Sequence, residues 1–295
     1  MTIAISLKIN DGIVLATDSA TSVMAQTAPN QLGVVNVYSN ANKLFNLRKG
    51  LPIGIITWGV GSIGLSSIST LMKDLRDRFS GATSLVDWTL EKDNYTIEQV
   101  ANRVKEFIFD ELYVKEFQKF PQKPPLGFVI AGYSPGAAMP EEFQIDMDVN
   151  GHCIGPRRLR AANDCGVSWS GEPEAINRLL AGYSPQLWPI LKNSLNLADA
   201  NLVGLKSQID PQLQVPLVFP AMPLQDAIDL AEFLVQLTIS FSRFKPGAPT
   251  VGGPIELAAI SKHEGFRWIK RKYYFDRDIN PDISFTRTFD PTPSG

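Results

Sequence analysis

The chain has 295 residues, 44% of them apolar, which is enough to bury a sizeable core and excludes a disordered protein. Its 28 basic residues against 30 acidic ones leave a formal charge of −2, so nucleic acid and anionic membranes have no electrostatic hold on it. Two cysteines and two histidines are too few for a disulfide framework or a convincing metal site, and no cofactor is expected.

In the opening TIAISLKIN, Ile3, Ile5, Leu7 and Ile9 alternate with Thr2, Ala4, Ser6 and Lys8, the period of a strand with one face on a core. The turn at Asn10–Gly12 and the returning IVLATDS predict a β-hairpin. NKLFNL and IGIITWG follow as a second strand pair around Gly50 and Pro52. From Ile63 the spacing becomes helical, with Leu65, Ile68, Leu71, Met72, Leu75 and Phe79 on one stripe. Thr96 as N-cap and Gln99 as its capping-box partner start a second helix, whose stripe runs through Ile97, Val100, Val104, Phe107, Ile108 and Leu112. GFVIAGY reads as a short buried strand, and EFQIDMDVNGHC as a hairpin turning at Asn150–Gly151. His152 and Cys153 are neighbours on that hairpin and point to opposite faces, so they read as a strand detail rather than a base and nucleophile.

SWSGEPEAINRLLAG is a strand end, a turn and a short helix closed by Gly182. Residues 184–222 lack clean periodicity and read as an insertion with one helix. PLQDAIDLAEFLVQLTISF is a strong helix, with Pro223 near its start and Leu224, Ala227, Ile228, Ala231, Leu234 and Val235 on one face. PIELAAIS and FRWIKRKYY are two more strands, and the basic run Lys270–Tyr274 reads as the solvated end of the second. The polar tail 276–295 is expected to be loosely held. Strands, two helices, strands, two helices, strands is not the alternation of a parallel α/β fold. The order predicts one α+β domain over 1–295, with two packed antiparallel sheets and a helix pair on each outer face. The first ten residues alternate with a single charge, and the longest apolar run is short and broken by glycines. These features predict a cytoplasmic protein with no leader and no membrane span.

TIAISLKINDGIVLATDSATS, then NKLFNL, IITWGVGSIG, SWSGEPEAI and VGGPIELAAIS, taken in order, resemble the β-type proteasome subunits and their bacterial relatives among the N-terminal-nucleophile (Ntn) hydrolases. The likeness runs from Thr2 to about Trp268, interrupted by residues 184–222. It implies a four-layer αββα sandwich and a threonine-type peptidase acting on peptide or protein substrates. It also implies a homo-oligomeric ring, with room for an ATP-driven unfoldase as partner.

The resemblance gives each site residue a role. Thr2 becomes the nucleophile once Met1 is removed: its hydroxyl attacks a peptide carbonyl, and the freed α-amine, with a pKa of about 8, takes the proton. Asp18 and Lys43 match the acid and lysine beside that nucleophile, the lysine lowering the cost of the alkoxide and the carboxylate orienting the lysine. Gly59 matches the glycine whose backbone N–H stabilises the oxyanion, and Ser170 the serine near the amine. Plain alternatives stand beside these: a strand start at Thr2, turn residues at Asp18 and Ser170, and an exposed lysine at Lys43. The chain also departs from the family pattern. Ala248 and Val251 stand where an aspartate and a serine are usual, with Thr250 between them. Ile3 replaces a common hydroxyl residue, and Ala20 a frequent arginine. The competing readings are therefore an inactive proteasome-like scaffold and a small-molecule amidase.

Overall fold

The computed structural model describes residues 2–28, 31–83, 86–276 and 279–280. The fate of Met1 and nearly all of the 276–295 tail lie outside these residues.

The expected first hairpin is present: β1 (Ile3–Ile9) pairs antiparallel with β2 (Gly12–Thr17). A second hairpin, β3 (Thr21–Ala28) with β4 (Gln31–Tyr38), follows where the sequence pattern gave no strand signal. β5 (Leu44–Asn46) and β6 (Ile53–Gly59) form the predicted second pair. β7 (Ser62–Ile63) and β8 (Ser66–Ser67) make a small hairpin before α1 (Ile68–Phe79), which is capped by the Ser67 hydroxyl accepting from the Thr70 N–H. This corrects the expected helix start at Ile63. Leu65 sits between the two short strands, fully exposed, because its place in the helical period is coincidental.

The Thr96–Gln99 capping box is formed and starts α2 (Ile97–Lys105). The helix continues through a π-helical stretch, Glu106–Tyr113, into α3 (Val114–Phe117). β9 (Leu126–Gly132), β10 (Glu141–Met147) and β11 (Cys153–Arg158) come next, then β12 (Gly166–Gly171). α4 (Glu174–Ile176) runs on through Asn177–Ala181 and ends at Gly182, whose φ of 81° closes it. The insertion holds two helices rather than one, α5 (Leu187–Ser194) and α6 (Asp199–Leu213). α6 buries no side chain, which is why its sequence carries no period. α7 (Leu224–Phe244), β13 (Glu256–Ser261) and β14 (Gly265–Lys270) complete the described elements.

The strands form two larger sheets, both antiparallel throughout. One has the order β12-β1-β2-β13-β14 and the other β11-β10-β9-β6-β5. The period of two in β1 sorts its side chains. Ile3, Ile5 and Leu7 join an apolar cluster with Ala231, Leu234 and Val235 of α7, while Ala4 faces the other way. Ala4, Leu15, Ala258 and Ile260 of the first sheet meet Leu44, Ile56 and Val129 of the second in another cluster. Each buried aliphatic side chain contributes about 1.5–3 kcal/mol, so a one-residue slip of β1 would forfeit several such terms at once. The outer face of the second sheet is covered by α1 and α2, through Met72, Leu75, Val100 and Val104.

The inward face of β1 turns polar further along. The Ser6 hydroxyl donates to Glu142, which also takes a bond from Arg160 at 2.8 Å, and the Lys8 ammonium donates to the carbonyls of Ala161 and Ala162 at 2.8 and 3.0 Å. Register is thus fixed on both faces. Among the described residues no helix is long and apolar enough to cross a membrane.

Candidate active site

Thr2 lies just before β1 and is only 3% exposed. Its carbonyl accepts from the Glu172 N–H at 2.8 Å. Gly171 makes that approach feasible: its φ is +99°, and a Cβ there would stand 1.9 Å from the Thr2 oxygen. Ser170 is paired with Ala4, so its side chain shares the inward face of β1 and β12.

Asp18 follows β2 and has no solvent exposure. Its two oxygens collect four donors. Oδ1 accepts from the Ile3 N–H at 3.1 Å and from the Lys43 ammonium at 2.7 Å. Oδ2 accepts from the N–H groups of Ala20 and Gly252, each at 3.0 Å. One carboxylate oxygen therefore links Lys43 to the residue next to Thr2. Lys43 precedes β5, and its carbonyl accepts from the Thr57 N–H at 3.0 Å, tying it to β6. Burial pushes the Lys43 ammonium below the ordinary lysine value, against the opposing pull of Asp18.

Gly59 ends β6 and is exposed. Its φ of +98°, and the Pro125 carbonyl 2.1 Å from where a Cβ would stand, give it a backbone reason to be glycine. The segment with the two departures is divided. Ala248 is exposed, Val251 packs in the cluster under α7, and Thr250 is buried. What this segment gives the site is the Gly252 N–H on Asp18, a backbone donor rather than a side chain.

Sequence reasoning missed two further charged members. Glu256, at the start of β13, is 2% exposed, and its Oε2 accepts the Lys43 N–H at 2.9 Å. Burial pushes its carboxyl up, with Lys272 drawing it back. Lys272 comes from the basic run read as solvated. Its ammonium donates to the Ser19 hydroxyl and the Ala41 carbonyl, both at 2.5 Å, and lies 3.6 Å from Glu256. Arg271 and Tyr274 of the same run are exposed, so that expectation fails at Lys272. An acid inside the apolar PIELAAIS was the one readable signal for Glu256; nothing marked Lys272.

A cavity of about 350 Å³ opens beside this site, lined by Val34, Glu172, Ser242, Lys245, Ala248 and Thr250 among others. Glu172 is paired there with Lys245 at 3.5 Å. His152 and Cys153 take no part: His152 is bonded to Asp148 in the hairpin turn, and burial pushes the Cys153 thiol up, opposite to an activated nucleophile. Among the described residues no group of three or more His, Cys, Asp and Glu side chains is placed to hold a metal ion.

No family model matches the chain, and no curated protein does. Solved structures do. A Gly-1 mutant of Anbu from Hyphomicrobium sp. strain MC1 aligns at 17% identity with a TM-score of 0.53, over 92% of this chain and 86% of that one. Anbu, described as an ancestral β-subunit, from Yersinia bercovieri aligns at 12% identity with a TM-score of 0.48, over 92% and 88%. A structure described as the helical assembly of the Anbu complex from Pseudomonas aeruginosa aligns at 14% identity with a TM-score of 0.48, over 94% and 89%. The Hyphomicrobium structure corrects the expected membership of the β-type proteasome subunits, because the fold it matches is that of an Anbu protein. At such identities the likeness is one of fold.

Proposed function

We propose that this chain is an N-terminal threonine amide hydrolase, most simply a peptidase, with Thr2 as nucleophile after removal of Met1. The proposal includes a single Ntn-type domain over 1–295 with four αββα layers. The observation that carries it is the buried Asp18–Lys43 pair, whose shared oxygen also holds the Ile3 N–H beside Thr2.

In this reading the Thr2 hydroxyl oxygen bonds to the substrate carbonyl carbon, and its proton passes to the α-amine of the same residue. The Gly59 N–H receives the developing oxyanion, and Lys43 lowers the cost of the alkoxide. The carbon–nitrogen bond then breaks, the leaving amine takes the proton, and an ester remains on Thr2. Water attacks the ester by the reverse proton route and releases the acid. Asp18 holds Lys43, and Ser170 stands near the amine from β12. The proposal also includes homo-oligomer formation.

The exposed methyl of Ala248 and the core-packed Val251 favour a second reading, an inactive scaffold. Intact mass with and without a peptide epoxyketone separates the two. Loss of the methionine mass and one covalent adduct on Thr2, absent in Thr2→Ala, supports the hydrolase. Retained methionine and no adduct would leave the scaffold.

A further inference from the structure

We propose that Lys272, delivered from beyond β14, is a second cation of the threonine site and positions Lys43 through Glu256 and Ser19. Its catalytic consequence rests on the hydrolase reading; the positioning itself belongs to the fold.

Two routes lead from Lys272 to the site. Along the first, its ammonium faces Glu256, and Glu256 Oε2 accepts the backbone N–H of Lys43. A carboxylate 2% exposed needs a nearby cation to stay charged, and a charged acceptor holds an N–H more firmly than a protonated one. Along the second, Lys272 donates to the Ser19 hydroxyl, which in turn donates to the Pro254 carbonyl. The Ser19 N–H donates to the Gly252 carbonyl at 2.9 Å, and the Gly252 N–H donates to Asp18. Lys272 also caps the Ala41 carbonyl, in the loop that leads into Lys43. Ala20, whose side chain is a buried methyl, gives the site only its backbone N–H.

The charge matters as well as the bonds. The charged groups facing Lys43 are Asp18 after β2, Glu256 on β13 and Lys272 after β14. A second ammonium in this group disfavours the charged form of Lys43 and adds to the desolvation that already pushes it down. A neutral side chain could satisfy Ala41 and Ser19 but would not exert this effect.

The test compares wild type, Lys272→Gln, which keeps a donor but loses the charge, and Lys272→Arg, which keeps the charge. Protein labelled with ¹³C at lysine Cε is titrated by NMR, with the Lys43 signal assigned from Lys43→Met. Epoxyketone labelling of Thr2 is followed over the same pH range at saturating and limiting probe. The expected result is a Lys43 midpoint moved upward in Lys272→Gln and near wild type in Lys272→Arg. The saturating labelling rate should fall about tenfold in Lys272→Gln, a share of the roughly 10²–10³ a placed electrostatic group supplies, because Lys43 is then held less firmly beside the alkoxide. Its pH limb should move upward as the α-amine is held protonated. An unmoved Lys43 midpoint in folded Lys272→Gln overturns the proposal. So does a wild-type Lys43 titrating at the ordinary lysine value, a measurement that needs no variant. A moved midpoint in protein that never takes the probe sinks the hydrolase reading and supports the positioning.

Discussion

Replacing Asp18 by asparagine is the sharpest test of how this site is held together. An amide has the shape of the carboxylate but offers one acceptor oxygen and one NH₂. In the native arrangement each oxygen takes two donors, Ile3 N–H and Lys43 on Oδ1, Ala20 N–H and Gly252 N–H on Oδ2. Either amide orientation therefore sets the NH₂ against two donors. Two buried partners left unsatisfied cost about 1–3 kcal/mol each. Stripping the counterion from a buried ammonium costs about 3–5 kcal/mol more. The sum is at least about 5 kcal/mol, comparable with the lower end of the 5–15 kcal/mol that holds an ordinary domain folded. Lys43→Met should cost less, because three backbone N–H groups still surround the carboxylate. Urea unfolding followed by tryptophan fluorescence, with both single variants and the double, measures each loss and their coupling. A loss under about 1 kcal/mol for Asp18→Asn, or a larger one for Lys43→Met, would refute this account of the network.

Further outcomes follow from other parts of the structure. Gly59→Ala should lose about 2 kcal/mol or more, since its φ of +98° and the Pro125 carbonyl both oppose a Cβ; an unchanged urea midpoint would contradict that. Thr96→Ala removes the side chain that caps α2 and should cost about 1 kcal/mol, read as a lowered melting temperature. Lys43 and Lys272 both titrate below the ordinary 10.5 when folded, chiefly through burial. Between their folded values and 10.5 the unfolded chain binds more protons, so their contribution makes stability rise with pH through that window. The difference in urea midpoint between wild type and Lys43→Met should therefore change with alkaline pH, and a constant difference would count against the depressed lysine. Under the proposed chemistry Lys43→Ala abolishes Thr2 labelling, and wild-type labelling in that variant would remove Lys43 from the mechanism.

The parts of the fold readable in the sequence are those where burial imposes a period. β1 alternates because Ile3, Ile5 and Leu7 face α7 while Ala4 faces the opposite sheet. The capping box at Thr96 was readable because its bonds are local in sequence. The β3–β4 hairpin was missed because TSVMAQTA and QLGVVNVY show no alternation, and the two strands pair with each other rather than with either larger sheet. α6 was missed because no packed face constrains its residues. At the site, Asp18 and Lys43 were recoverable from their motifs. Glu256 and Lys272 were not, since their meeting with Lys43 depends on β13 and the segment after β14 reaching it from more than 200 residues away. A basic run shows where charge lies along the chain, not which ammonium the fold draws inward.

The charge count within the site bears on how a freed Thr2 would behave. Asp18 and Glu256 carry two formal negative charges, Lys43 and Lys272 two positive ones, and all four lie in one bonded network. Such a set is balanced before any α-amine is exposed. A protonated amine at Thr2 would be a fifth charge, next to a carboxylate whose lone pairs are already taken by four donors. Asp18 has no acceptor left for it, and with the four charges balanced it is the burial of Thr2, 3% exposed, that disfavours the charged form. An amine kept neutral in this way can take a proton from its own hydroxyl, which is the step the proposed hydrolysis requires. The same balance makes neutralising any one member costly. Removing Lys272 leaves an excess negative charge that would stabilise protonated Lys43 and a protonated amine together, so its loss should raise the pH at which Thr2 reacts rather than merely weaken substrate binding.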